Sequence, residues 1–401
     1  MQISNEKIAT EYEKLMNRIR WLFNSETGFE SGKNYVRGLL GPAERKNGWQ
    51  MSESLGAKTP YKLQQFISRG KYSERGIMYE VRGYVGDELG EEDGVLVPDD
   101  TGYLKKGTMS CGVKRQYTGT SGKVDNCQIG VFLAYASSAG YAAIDQQLYM
   151  PEDWMSDKVR RDKAGVPEEL EFQTKPEMAL EMIKRATAEG IPYKWVTCDS
   201  AYGEYGEMRK WLEEKEKSYV VCVPVNNTIW VDNKKMSIGE VMKGLSEEGW
   251  YEESCGAGSK GEREYEWQAK EIALDWREIV KREETDENKR ILLVRRSKSD
   301  ARDMQGYMCW ARRETTERKL IEIAGMRWKV ETTFREMKSE VGMDEYEYQS
   351  YRGWSRHITF ACVAMALLAV VGAGSGALPM QSYEPGSSSL AEFKKKHNLR
   401  A

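Results

Sequence analysis

Histidine is nearly missing from this chain: 401 residues contain two, His357 and His397. That leaves no material for a histidine-rich zinc site and argues against a Ser–His or Cys–His nucleophile. The seven cysteines (Cys111, Cys127, Cys198, Cys222, Cys255, Cys309 and Cys362) are dispersed and form no Cys-x-x-Cys pair. An odd, scattered set reads as reduced thiols in a cytoplasmic protein, not as a disulfide framework. No apolar run is long enough to span a bilayer. The longest, Ile358 to Val371, ends at Gly372, Gly374 and Gly376 and reads as a buried helix, so no membrane is expected. The first residues, with Glu6, Glu11 and Glu13, lack a signal-peptide pattern. Positive charge is not in excess either, since the formal net charge is −3. That excludes little, because nucleic-acid binding needs local basic faces and 60 Lys and Arg can supply them. Chemistry here must rest on carboxylates, amines or hydroxyls.

The hydrophobic pattern divides the chain. Residues 1 to 90 read as helical: Ile8, Tyr12, Leu15, Ile19 and Leu22 recur at helical spacing, with further helices over Tyr61 to Ile67 and Arg75 to Leu89. Lys46, Lys58, Lys62, Arg69, Lys71 and Arg75 make this region a candidate DNA contact, although a solvated bundle carries similar charges. At Gly94 the pattern changes. Val95 to Val97 reads as a buried strand ending in a turn at Pro98-Asp99-Asp100-Thr101-Gly102. Two strands, Asn126 to Tyr135 and Gly140 to Tyr149, flank a Ser-Ser-Ala-Gly turn. A helix over Pro176 to Glu189, a strand delivering Asp199, a helix over Glu207 to Glu216 and a strand over Tyr219 to Pro224 follow. This order predicts an α/β fold with a mixed sheet and flanking helices. Residues 225 to 310 are more polar and locally alternating, with strands at Ile229 to Val231 and Arg290 to Arg296, and read as an insertion. Helices return over Arg313 to Ala324, Arg327 to Glu340 and Arg356 to Val371. From Gly372 on, the chain is rich in Gly, Ser and Pro and then basic, which reads as a flexible tail.

Three acidic residues stand out as metal-ligand candidates, since hard carboxylate oxygens suit Mg²⁺ and a metal pair can serve both the attacking and leaving oxygens of a phosphodiester. Asp99 and Asp199 are placed at strand ends, where α/β folds present ligands. A turn former or a helix cap explains each equally well. On the third candidate helix Arg327, Glu331, Arg335 and Lys338 share one face, beside an apolar stripe of Val330, Phe334, Met337 and Val341. An ordinary solvated face shows the same spacing.

Together these segments carry a resemblance. VLVPDDTGYLKKG (95–107), GVKRQYTGTSGKVDNCQIGVFL (112–133), LYMPEDW (148–154), TCDSAYG (197–203) and RWKVETTFREMKSEVGMDEYE (327–347) follow one another in a consistent order. In this the chain resembles insertion-sequence transposases of the DDE superfamily, whose catalytic domain is RNase H-like. The resemblance implies a helical N-terminal DNA-binding region (1–90) and a core in two parts (91–224 and 311–372), the second carrying the catalytic Glu. Between them it implies a β-rich insertion (225–310), with a basic tail (373–401) after the core. It places Asp99, Asp199 and Glu331 as the catalytic, metal-holding carboxylates, with Asp100 as the fallback for the first. Mg²⁺ is the implied cofactor, and Mn²⁺ can substitute. Arg327 and Lys338 match the signature Tyr-x2-Arg-x3-Glu-x6-Lys, whose Tyr position holds Ala324.

The activity so implied is metal-dependent cleavage at transposon ends and strand transfer into target DNA. The partners are double-stranded terminal repeats and target DNA, met by a dimer assembled on DNA in the cytoplasm. Lys105, Lys106, Lys114 and Arg115 are further candidates for the DNA backbone. Trp328, Trp354 and Tyr117 are candidates for base stacking or plain packing, and His357 for a structural role. A nuclease that cuts without joining, and an inactive DNA-binding relative, are the alternatives.

Overall fold

The computed structural model describes residues 5–258, 261–275 and 287–373. The basic tail expected from 373 on lies, past Ala373, outside the described residues, as does His397. The chain forms two compact units. One comprises Met1–Glu91, Asp100–Pro192 and Glu331–Ala401; the other comprises Glu92–Asp99 and Tyr193–Val330.

The first unit begins with helices α1 (Asn5–Ile19), α2 (Glu26–Leu40), α3 (Gly48–Ser54), α4 (Tyr61–Arg69) and α5 (Glu74–Leu89). The apolar positions read from spacing, Ile8 to Leu22, are buried. Strands β2 (Lys114–Thr118), β3 (Lys123–Ala136) and β4 (Tyr141–Leu148) follow, with β3 between β2 and β4 in antiparallel register. Short helices α6 (Glu152–Ser156) and α7 (Lys158–Ala164) lead to α8 (Lys175–Ala188), whose start is set by a Thr174–Glu177 capping box with Pro176 in the first turn.

The second unit holds β5 (Trp195–Cys198), α9 (Ser200–Gly203), α10 (Gly206–Glu214) and β6 (Ser218–Cys222), then β7 (Thr228–Val231), β8 (Lys234–Ser237) and α11 (Ile238–Lys243). After these come β9 (Tyr251–Gly258), β10 (Gly261–Glu271), β11 (Asn288–Arg296), β12 (Met304–Arg312) and α12 (Glu317–Met326). β5 and β6 run parallel and are buried throughout, which is why Trp-Val-Thr-Cys and Ser-Tyr-Val-Val-Cys show no alternation. Four strands of the 225–310 region extend this sheet, β12 pairing antiparallel with β6 and β11, β10 and β9 following outward, while β7 and β8 form a separate two-stranded sheet. The result is the RNase H-like mixed α/β arrangement expected from the element order.

Strand β1 corrects one expectation. It runs from Val95 to Leu104, straight through Pro98-Asp99-Asp100-Thr101-Gly102, where a turn was expected. β1 pairs with β5 at Val95 and Leu96 and continues beside β3, so its latter half keeps a partner after β5 stops at Cys198. Proline is tolerated where a ladder is ending, because its missing N–H is then not required.

Two more helices, α13 (Trp328–Val341) and α14 (Tyr351–Ala373), complete the chain. α14 has the length and composition of a membrane span, yet 89% of its apolar window is buried. It packs on β4, α5, α2, α1 and α4 and is the core of the first unit. Several charged groups inside this core are matched. Arg82 of α5 makes a bidentate pair with Glu189 and reaches Asp145 of β4 at 3.2 Å, while Arg185 holds the same Asp145 oxygen at 2.9 Å. His357, fully buried on α14, faces the Gly342 carbonyl through Nε2 at 3.0 Å and the Tyr35 hydroxyl through Nδ1 at 2.8 Å. The carbonyl can only accept, so Nε2 carries the proton and Tyr35 donates to Nδ1.

Burial pushes the His357 imidazole down from 6.5 to about 4. The unfolded chain therefore binds a proton between those values that the folded chain refuses, and stability falls as pH drops through that window. The full effect is about 3 kcal/mol. Denaturant unfolding should show the first unit at full stability near pH 7 and progressively weaker from pH 6.5 toward pH 4. In His357→Gln this slope should flatten; an unchanged slope would exclude His357 as its source.

Candidate active site

The site begins with a strand register. β1 and β5 are parallel, with Val95 opposite Trp195 and Leu96 opposite Val196. Asp99 stands four residues beyond Val95, still within β1, and Asp199 four beyond Trp195, one past the end of β5. Both lie near enough to the Cys198 thiol for their charge to raise it. Asp100, the next residue of β1, is ion-paired to Lys175 at 2.8 Å.

Asp199 also starts α9. Its Oδ1 accepts from the backbone N–H of Ala201 at 3.0 Å and of Tyr202 at 3.3 Å, which locks the carboxylate's orientation. The cap and ligand readings of Asp199 are thus compatible, because a carboxylate has about four acceptor positions. Gly203 closes the helix against β6: a Cβ there would lie 2.0 Å from the Cys222 carbonyl oxygen. Arg209 of α10 donates to the Gly203 carbonyl and ties the same turn from the other side.

Two buried thiols register the local charge. Burial holds Cys198 well above the usual thiol range, and both Asp199 and Asp99 push it further up, opposed by Arg209. Cys222, raised to about 12 mainly by burial, feels Arg327 and Arg295 against Asp199. The acidic pair is therefore flanked by three guanidinium groups. Of these, only Arg327 was legible from the sequence; Arg209 and Arg295 come from elements with no motif. Thr197, two residues before Asp199 and on the same face, has a fully buried hydroxyl with no hydrogen-bond partner. Paired hard-oxygen donors beside an unused buried hydroxyl suit a hydrated divalent cation. Among the described residues, no three His, Cys, Asp or Glu side chains form a ready group for a metal.

In the first unit, Glu331 is half-buried on α13, while Phe334, Met337 and Val341 turn inward as the spacing predicted and Arg335 stays exposed. Lys338 lies against the Gly102 carbonyl at 3.4 Å and the Thr120 hydroxyl at 3.3 Å. Lys105 sits 3.8 Å over the Tyr346 ring, and burial pulls its ammonium down to about 8. Lys106 and Arg115 are exposed, and Lys114 is exposed but paired with Asp153 at 3.1 Å. Several expectations change. Lys46 is buried, with its ammonium on the Gly41 carbonyl, so it leaves the basic face of the N-terminal helices. Trp354 is buried beside Tyr103 and is a core residue. Trp328, in the second unit, is half-buried under Arg263 at 5.4 Å. Glu336, buried and bonded to the Tyr141 hydroxyl at 2.9 Å, was missed because nothing in its spacing separates it from surface glutamates.

The chain matches the family model described as DDE superfamily endonuclease over residues 22–245, and the one described as transposase DDE domain over 174–367. It is similar to a protein of Microchaete diplosiphon described as a probable transposase for insertion sequence element IS701, with 26% identity over 255 residues. That match covers 62% of this chain and 64% of the relative's own length.

Gly203 offers a direct check of how the turn is held. Gly203→Ala must displace α9 from β6 and should cost about 1–3 kcal/mol, the usual penalty of overpacking. Gly206→Ala is the control, since its Cβ would meet only Arg209 at 3.7 Å. Denaturant midpoints that fall equally in both variants would refute the close-packing account.

Proposed function

We propose, on the premise that the chain belongs to the DDE superfamily of transposase endonucleases, that it cuts the ends of a mobile DNA element and joins them to target DNA. DDE transposase domains generally use divalent metal ions. The observation that supports the reading is that Asp99, on β1, and Asp199, just past its parallel partner β5, both raise the Cys198 thiol by their charge.

Asp99, Asp199 and Glu331 would hold Mg²⁺, which when bound supplies Lewis acidity to the attacking and leaving oxygens of a phosphodiester. Asp199 enters with its orientation already set by the α9 cap, so little ordering is left to pay at the moment of reaction. Arg327 and Lys338 are the cations assigned to phosphate charge that grows in the transition state. The chemistry is two displacements at phosphorus. Water first replaces a 3′ oxygen at the element's end, and the freed 3′-hydroxyl then replaces a 3′ oxygen in the target. Each step forms one P–O bond and breaks one. No covalent link to the protein is required, in keeping with cysteines that burial keeps protonated and an imidazole that is enclosed and bonded.

Binding of the terminal repeats falls in this reading to the N-terminal helices. The exposed face of α4 carries Tyr61, Lys62, Gln65, Ser68 and Arg69 and no acid, with Lys71 and Arg75 just beyond. Two ends must be held for joining, so the active species is a dimer on DNA.

The test uses labelled DNA carrying the element's own ends, with Mg²⁺, with Mn²⁺ and with EDTA. Asp99→Asn, Asp199→Asn and Glu331→Gln should each lower cleavage and transfer by at least about 100-fold, the scale of several kcal/mol of lost charge stabilisation. End binding should stay within a few-fold, and Asp100→Asn should cut and join. Wild-type protein that binds the ends but neither cuts nor joins would overturn the catalytic assignment. Cutting without joining would mark a nuclease.

A further inference from the structure

The β2–β3 hairpin of the first unit exposes two apolar side chains that the proposed chemistry leaves unused. Tyr117 and Val124 are directly paired across the hairpin, and they are 64% and 53% exposed. Arg115 lies two residues before Tyr117, so alternation puts it on the same face, and it too is exposed. Residues 101–124 contain five Lys or Arg and no acidic residue; Asp125 follows Val124, Lys105 packs on Tyr346 and Lys114 pairs with Asp153, so the exposed cations beside the pair are Lys106, Arg115 and Lys123.

The hairpin is also braced. Thr118 seats against Gly102 of β1, where an added Cβ would lie 1.9 Å from the Thr118 hydroxyl. The Thr120 hydroxyl donates to the Gly102 carbonyl at 2.9 Å, and the turn closes with Gly122 in the left-handed region, φ +66°. On the face it shares with Arg115, its direct partner across the hairpin, the Asn126 amide donates to the carbonyls of Lys105 at 2.6 Å and Gly107 at 2.9 Å. A rigid, basic two-stranded ribbon with an apolar pair on its face has the form of an element that wedges a base step apart while cations hold the flanking phosphates.

We propose that this hairpin kinks target DNA, with Tyr117 and Val124 as the wedge and Arg115 as a phosphate anchor. The proposal rests on the transposase reading above. Target DNA, and not the element's end, is the occupant because, with Arg115 engaged on phosphate, this face offers few groups to base edges. Asn126 is the residue on it with the chemistry to pair with an adenine edge, and its amide is committed to the Lys105 and Gly107 carbonyls. What remains senses how readily DNA deforms, which suits a target chosen by flexibility.

The test uses the full chain and end-labelled duplexes of random sequence, with bending read by fluorescence energy transfer between the duplex ends. Wild type should bend the duplex and should prefer a gapped or mismatched target about 10-fold over an intact one. The double variant Tyr117→Ala/Val124→Ala should lose both effects, keep the wild-type salt dependence of binding, and recover strand transfer when the target is already gapped. Both residues are exposed, so its circular dichroism and melting should match wild type. Arg115→Ala should still bend DNA but lower the slope of log K against log salt by about one. The proposal fails if wild type leaves random duplexes straight, if the double variant bends them normally, or if bending occurs only on element-end DNA. It also fails if the double variant changes the protein's oligomeric state while bending persists, which would mark a protein contact. Bending needs no catalysis, so loss of cleavage in every protein would sink the transposase reading and leave the hairpin's behaviour visible by itself.

Discussion

The parallel pairing of β1 with β5 carries the two strands toward Asp99 and Asp199, and the Cys198 thiol feels the charge of both carboxylates. Arg209 opposes that charge at Cys198, and Arg327 and Arg295 oppose that of Asp199 at Cys222. The helix turn at Asp199 adds two backbone N–H donors on the same carboxylate. Such an arrangement tolerates negative charge and keeps it fixed, the condition under which a divalent cation binds with little reorganisation.

Much of this was legible in the sequence, and the misses share a cause. Buried parallel strands announce themselves as short apolar runs, so Trp195 to Cys198 and Ser218 to Cys222 were found within a residue or two. α13 declared its inward stripe through spacing alone. What one-dimensional pattern does not contain is the partner of each residue. Pro98-Asp99-Asp100-Thr101-Gly102 has the composition of a turn, and only the neighbouring strand β3 lets it continue as β1. Asp99 and Asp100 could not be told apart by composition either, since the ion pair of Asp100 depends on Lys175, 75 positions away. Lys46 and Glu336 gave no sign of burial because burial of a charge is decided largely by distant residues, here Glu345 beside the Lys46 backbone and Tyr141 beside Glu336.

The first unit separates the cost of its scaffold from the needs of its surface. α14 supplies a long apolar surface that α1, α2, α4, α5 and β4 all share, so one helix closes the core of elements distant in sequence. Charged groups in that core include matched sets, of which Arg82 with Asp145, Glu189 and Arg185 is the largest described. Removing one member of such a set costs far more than the set contributes, which enforces a single arrangement of α5, β4 and α8. With the interior so specified, the outward residues of α4 and of the β2–β3 hairpin are free to vary with the nucleic acid they meet.

Charge distribution reconciles a net-acidic chain with a polyanionic partner. Residues 45–75 hold seven Lys or Arg against two acids, and residues 101–124 hold five against none, so the remainder must be distinctly acidic for the total to reach −3. In the proposed reading, phosphate-rich DNA would be attracted at these two stretches and repelled by much of the rest. Uniformly basic proteins gain affinity but accept DNA in any orientation; alternating fields sacrifice affinity and restrict how the duplex can approach. For the proposed reaction, orientation would be worth more than affinity, because displacement at phosphorus requires the attacking and leaving oxygens in line.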